Sequence, residues 1–409
     1  MYVESKLHTR NPFVTKEVAP SIVRSVDVFI AGGGPAGLAC AIAAAMHGLS
    51  VEVADGMKPP IDKACGEGLM PDTVHALHQL GVDISTTQSH PFRGIRFIGS
   101  PNRSRPARNT QADFPQGHGR GMKRVLLHQL LLDRALALGV HLSWETLVKQ
   151  TAQQHPANAP TGQGTTTLIH TSRHTTRARF LVGADGHQSR IRAAARLDKA
   201  TIAARRIGLR QHFAIAPWTD YVEVYWSDHG QAYVTPISAN EVCIAFVAHQ
   251  KFESIPQALS FFPDLLARLT AALPSDRPRG SITLSRKLHR VTRDNIALIG
   301  DASGSVDAVT GEGLALCFRQ ALALADALQD NNLPAYQKAH VAMHRLPHFM
   351  ARTMLLMDSS PLLRSKALSA FHRRPQLFEQ LLQTHVGHAP IQILGSRGLI
   401  ATGAHILAG

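Results

Sequence analysis

The alternation of apolar and polar positions near the start of the chain predicts a βαβ unit. Residues 26–31, VDVFIA, form an apolar run expected to be a buried strand; glycines break it, and a small-residue helix follows. The turn HGL then leads into a second strand, SVEVAD. Farther on, MPDTVHALHQLGV predicts a helix, FRGIRFIGS alternates as a strand, and KRVLLHQLLLDRALALG carries leucines at helical spacing. Residues 151–166, rich in Thr, Gln, Pro, Gly and Ala, read as an exposed loop between strands, and RARFLVGADG as the next strand. YVEVYW, QAYVTP and EVCIAFVA alternate with period two between the short polar turns SDHG and ISAN. That pattern predicts an antiparallel sheet, and with it a second domain. After one more buried strand, NIALIG, the chain is expected to be largely helical to its end.

The glycines of the opening unit carry candidate chemistry. Gly32, Gly34 and Gly37 stand as GxGxxG between strand and helix. In such a turn the first glycine permits the bend, the second lets backbone approach a pyrophosphate, and the third allows helix to pack on sheet. Asp55 ends the second strand 23 positions after Gly32, where a ribose-binding carboxylate is expected. Gly32, Gly34, Pro35, Ala36, Gly37 and Asp55 are therefore candidate dinucleotide-binding residues.

Composition narrows the class. A chain of 409 residues, 44% hydrophobic, is long enough for two or three domains. The four cysteines lie far apart without CxxC spacing, which argues against disulfides or a zinc knuckle and for a reducing, cytoplasmic setting. The polar N-terminus does not read as a secretory signal, and no apolar run approaches the ~18 residues of a membrane span. The net charge of +14 is scattered and joins no nucleic-acid-binding motif, so no nucleic-acid partner is expected. From Arg345 onward basic residues outnumber Asp358 and Glu379 and mix with MLLM, PLL and FEQLL. This segment reads either as an interfacial region making peripheral membrane contact or as a helical lid on the protein's own core. His340, His344 and His348 recur every fourth residue, but Pro347 is expected to interrupt their helix and no carboxylate joins them. A surface stripe is the expectation there, and no metal site. Hydrolase signatures such as HExxH and GxSxG are absent from the sequence.

Two later motifs identify the dinucleotide. FLVGADGHQSRIR carries Asp185, and NIALIGDASGSVDAVTGEGLALCFRQA carries Gly300, Asp301 and the TGEG run. With the glycine fingerprint they resemble, in order over about residues 26–345, the FAD-dependent oxidoreductases of the para-hydroxybenzoate hydroxylase and geranylgeranyl reductase superfamily. The resemblance implies that Asp301 hydrogen-bonds the ribityl chain and that Gly311, Glu312 and Gly313 place backbone N–H groups beside the flavin pyrimidine ring. It also implies that Arg124 lies against the cofactor and that Asp185 serves FAD or a nicotinamide nucleotide. KACGEGLMP is similar to the cysteine–glycine motif that the reductases place beside the isoalloxazine, which makes Cys65 and Gly66 cofactor-binding candidates. A halogenase tryptophan motif is not evident.

The resemblance implies a mixed α/β fold. A discontinuous Rossmann-like FAD-binding domain is expected over 24–84, 118–198 and 286–345, an inserted antiparallel-sheet substrate domain over 85–117 and 199–285, and a helical C-terminal region over 346–409. It further implies an FAD enzyme reduced transiently by NADH or NADPH, since no second nucleotide-binding unit is visible. The expected reaction is hydroxylation of an aromatic, phenolic, polyketide-like molecule through a flavin hydroperoxide; the alternative is geranylgeranyl-reductase-like reduction of a double bond in an isoprenoid or other apolar substrate. Tyr221, Glu223, Tyr225, Tyr233 and Pro236 are the substrate-pocket candidates on the sheet. Glu67 is the acid–base candidate or else a surface carboxylate, and Cys65 is a compact wall of the flavin pocket or a proton donor.

Overall fold

A computed structural model describes residues 23–84, 89–99, 108–155 and 164–387. The remainder, including much of the 151–166 loop, Arg397 and the end of the C-terminal region, lies outside the described residues. The fold is mixed α/β, built on two large sheets.

The first sheet centres on strand Val23–Ala31, which pairs in parallel with Val51–Ala54 on one side and Thr175–Gly183 on the other. Ile296–Leu298 and His141–Ser143 extend it, also in parallel. Parallel strands are covered on both faces and so read as continuous apolar runs rather than alternating ones. Val28, Phe29, Ile30, Leu181 and Leu298 are accordingly buried with Leu38 and Ile42 of helix Pro35–Met46, Leu131 of helix Arg124–Ala137 and Phe318 of helix Gly313–Gln329.

The second sheet runs in the order Gly304–Ser305, Arg279–Leu288, Ala200–Ala214, Glu241–Ala248, Gly230–Ser238, Tyr221–Ser227, Gly94–Ile98, Asn109–Asp113. It is antiparallel except where Tyr221–Ser227 pairs in parallel with Gly94–Ile98. Strand Arg279–Leu288 continues past residue 285, and Gly304–Ser305 joins its edge, so the loop following NIALIG belongs to both units. One face packs on helices Ile255–Ser260 and Pro263–Arg268 through Val234, Ile244, Phe246, Leu259 and Leu265. The other face, carrying Phe97, Val222, Val224 and Trp226, meets Met354, Met357, Leu368, Phe371, Phe378 and Leu382 of the C-terminal helices. Their apolar stripes thus turn onto the protein's own sheet.

Two expectations are corrected here. Helix Leu333–Ser359 runs unbroken through Pro347, which lies buried within it. The missing N–H weakens one turn, but the packed helix continues. The histidine stripe is also not on the surface. His340 Nε2 lies 3.0 Å from Ser303 Oγ, His344 Nε2 lies 2.8 Å from Gln320 Nε2, and the two imidazoles stack with centroids 4.3 Å apart. Gln320 Oε1 accepts the Gly300 N–H at 2.7 Å, so these buried residues brace the Gly300–Ser303 turn. Burial lowers the pKa of His340 to about 4.

A buried ion cluster fastens the C-terminal helices to the second sheet. The fully buried Arg206 guanidinium pairs with Asp307 at 3.2 Å and with Asp358, at the end of helix Leu333–Ser359. Removing the guanidinium leaves two buried carboxylates without their shared cation. Arg206→Ala is therefore expected to lower unfolding free energy by about 3–5 kcal/mol in a chemical denaturation experiment; a loss comparable to that of an exposed ion pair would contradict the burial argument.

Candidate functional site

Where the two sheets and the C-terminal helices meet they enclose a cavity of about 690 Å³. Its polar end is built by the glycine turn. Gly32 has φ +114°, and a Cβ there would lie 2.3 Å from the Ala184 carbonyl oxygen; one on Gly37 would lie 1.9 Å from the Gly32 carbonyl oxygen. Only glycine fits both positions. A Cβ at Gly34 would meet nothing within 4 Å, so the backbone there is open to the cavity. Pro35 begins the helix with no side-chain cap, which leaves first-turn N–H groups available to an anion. Asp55 steadies the turn, accepting the Gly33 N–H at 2.7 Å and the Met57 N–H at 2.8 Å.

The other cofactor candidates divide into two groups. Gly34, Pro35, Ala36, Cys65, Gly66, Arg124, Gly300, Asp301, Gly311, Glu312 and Gly313 all line the cavity. Arg124 Nε is buried with no hydrogen-bond partner among the described residues, and Asp301 keeps a half-exposed carboxylate 3.2 Å from His187 Nε2. Asp185 instead caps helix Arg190–Ala194, accepting the N–H groups of Arg190 at 2.7 Å and Ile191 at 3.2 Å. An open glycine cradle, an uncapped helix start and an unpartnered guanidinium nitrogen suit a bound dinucleotide diphosphate and flavin.

Glu67 is not a surface carboxylate. It is 2% exposed with φ 59°, and both carboxylate oxygens are engaged. Oε1 accepts the Arg124 N–H at 3.0 Å and Oε2 lies 2.6 Å from His212 Nε2. His212 continues to Asp276 at 3.1 Å, and Arg210 bridges to Asp62 at 2.8 Å. Cys243 lies close enough to Glu67 and His212 for the three to resemble metal ligands. The Arg210 guanidinium 3.7 Å from Glu67 already supplies the positive charge, so the cluster reads as a hydrogen-bonded clamp on the Cys65–Glu67 loop. Burial raises the pKa of the Cys65 thiol, keeping it protonated.

Alternation along strand Tyr221–Ser227 decides the substrate side, and it corrects the pocket expectation. Val222, Val224 and, on the next strand, Tyr233 face the cavity. Tyr221, Glu223 and Tyr225 face away: Glu223 pairs with Arg96 at 3.2 Å and accepts from Trp218 and Tyr225 at 2.8 Å, while Tyr221 donates to Asp113 at 2.6 Å. Pro236 lies beneath Gly121 rather than in the cavity wall. Met350, Met354, Met357, Phe378, Leu381 and Leu382 complete the apolar wall from the C-terminal helices. The i, i+4, i+7 spacing of the methionines was the available signal for that wall.

The site now has a family. The chain belongs to the FAD binding domain family, whose model matches residues 25–331. It is 27% identical over 314 residues to a menaquinone reductase of Mycobacterium tuberculosis, covering 72% of this chain and 74% of that protein. To a ubiquinone hydroxylase of Rhodospirillum rubrum it is 28% identical over 344 residues, covering 78% and 75%. A crystallised flavoprotein/dehydrogenase from Cytophaga hutchinsonii shares the fold at TM-score 0.78 and 16% identity, over 94% of this chain and all of that one. This protein is thus an FAD-dependent oxidoreductase of the superfamily named above, and FAD is its cofactor. Among the described residues no helix is long and apolar enough to cross a membrane.

Gly37→Ala forces a Cβ against the Gly32 carbonyl, so the purified variant should carry much less FAD than the parent, by absorbance ratio; full FAD content would contradict the packing argument. Glu312 is buried, and burial pushes its carboxyl up to about 8 despite the opposing charge of Arg319, with Asp72 adding to the shift. Its protonated form is therefore favoured by folding, and that stability is present below the ordinary value of 4.5 and lost as pH rises through about 8. Glu312→Gln should gain on the parent by a few kcal/mol across this window in denaturation measured at both ends; parallel pH profiles would contradict it.

Proposed function

We propose that this protein is an NADH- or NADPH-dependent monooxygenase that hydroxylates a phenolic or quinol ring carrying an apolar substituent. The observation that carries the reading is the continuity of one cavity, from the glycine cradle to an apolar wall of Val222, Val224, Met350, Met354, Met357 and Phe378. Bound flavin supplies the oxygen chemistry; the chain supplies position and exclusion of water. Aliphatic and thioether side chains offer an apolar substituent a dry, adaptable surface. The hydroxylase relative, named for a ubiquinone, supports a ring substrate of this kind. Reduction by a transiently bound nicotinamide nucleotide agrees with the single glycine fingerprint in the sequence. Leu356, one turn after Arg352 on the same helix, and Leu362, at the start of the next, are exposed, a composition suited to collecting a lipid-soluble substrate at a membrane surface.

A second reading, saturation of a carbon–carbon double bond in an apolar chain, draws on the same wall and on the menaquinone reductase relative. Oxygen separates the two. Purified yellow protein mixed with NADH or NADPH and a long-chain alkylphenol should bleach, consume oxygen faster with the phenol than without it, and release product bearing one added oxygen atom. Anaerobic saturation of an alkene with no phenol-stimulated oxygen uptake would sink the monooxygenase reading. Met354→Trp should raise the KM for the alkylphenol about tenfold or more by filling the cavity, with flavin reduction little changed; an unchanged KM would place the substrate elsewhere.

A further inference from the structure

Among the described residues, four side chains lining the cavity bury a polar atom with no hydrogen-bond partner, Arg124 Nε, Arg210 Nε, Glu312 Oε2 and His385 Nδ1, and the last two lie side by side. Glu312 is 4% exposed and sits in the TGEG turn, while His385 ends helix Pro375–His385 with its side chain 9% exposed. Glu312 Oε2 and His385 Nδ1 are 3.9 Å apart. Interior polar atoms are rarely left unpaired, and a single oxygen placed about 2.8 Å from each would pair both.

We propose that Glu312 and His385 together anchor the ring oxygen of the substrate, Glu312 donating a hydrogen bond to it and His385 Nδ1 accepting its proton-bearing side. This inference rests on the reading of a phenolic or quinol substrate and names the residues that select it. The backbone of Thr310 hydrogen-bonds the His385 ring, and with Nδ1 unpartnered that contact falls to Nε2, leaving the Nδ1 lone pair toward the cavity. Burial favours the neutral form of both groups, raising Glu312 and lowering His385. The charged groups facing the pair are Asp72, from helix Pro71–Gln79, and Arg319, from helix Gly313–Gln329; their influences oppose one another at each site. A neutral donor beside a neutral acceptor suits an uncharged hydroxyl and disfavours an anionic head, which would lose its hydration against the neighbouring apolar wall. The anchor is completed only when the C-terminal helices are docked, which couples their packing to substrate selection.

The test uses holoenzyme without any reductant and 2-nonyl-4-nitrophenol as the probe, because its visible absorption reports ionisation. The parent protein should bind it in the neutral form at a pH where the free probe is largely phenolate. Glu312→Ala and His385→Phe should each weaken binding about tenfold or more, the loss expected for one buried hydrogen bond. Glu312→Gln, which keeps a donor, should recover most of that affinity. The flavin spectrum of each variant checks that the FAD site is intact. Equal affinity in parent and variants, binding as phenolate, or no binding to the parent would each overturn the anchor. Because nothing turns over in this experiment, the two ideas fail separately. Unchanged binding in variants of an enzyme that still hydroxylates strikes the anchor alone, whereas anchored binding without phenol-stimulated oxygen uptake strikes the monooxygenase reading alone.

Discussion

The close contact between the glycine turn and its neighbours is the constraint from which the rest of the site is laid out. Gly37 sits against the Gly32 carbonyl and Gly32 against the Ala184 carbonyl, so first helix, first strand and the strand ending at Gly183 meet with no side chain between them. That contact directs an uncapped helix start and the open Gly34 backbone into one end of the cavity. The Gly300–Ser303 turn follows the Ile296–Leu298 strand of the same sheet and packs against Ala36 of the first helix, braced by Gln320, His340 and His344, and the Gly311–Gly313 run lines the same cavity. The cofactor end is therefore rigid by backbone packing, and its chemistry comes from main-chain groups more than from charged side chains.

The substrate end obeys a different logic. It is a face of an antiparallel sheet closed by helices, and its identity follows from strand alternation and from what the helices bring. Arg206, Asp307 and Asp358 join sheet, cofactor loop and lid in one buried cluster, so the cavity wall cannot separate without exposing paired charges to an unpaired state. On this sheet face, Tyr233 donates to the Val309 carbonyl and Thr235 to the Gly66 carbonyl. Against that background the unpartnered atoms of Glu312 and His385 stand out chemically.

Much of this was legible in the sequence, for local reasons. GxGxxG, the Asp55 spacing and the period-two meander are short-range signals, and they located the cofactor turn and the second sheet. What the sequence hid depends on tertiary contact. Period two showed that Tyr221, Glu223 and Tyr225 share a face but could not say which face meets the cavity; Arg96, Trp218 and Asp113 claim it for the other side. Pro347 looked like a helix end because its local cost is visible and the packing that overrides it is not. The histidines looked superficial because their partners, Ser303 and Gln320, lie on other elements. Glu67 and His212 are 145 positions apart, and no spacing rule joins them.

The proposed occupant of the cavity is an apolar phenol with its ring against the flavin end and its chain against the methionine wall. A crystal structure of the FAD-bound protein with a long-chain alkylphenol tests this most directly. The ring oxygen should lie between Glu312 and His385, with the chain running past Met350, Met354 and Met357. Density for the phenol outside this cavity, or with its chain directed to solvent and its ring on the Tyr221 face of the sheet, would contradict it.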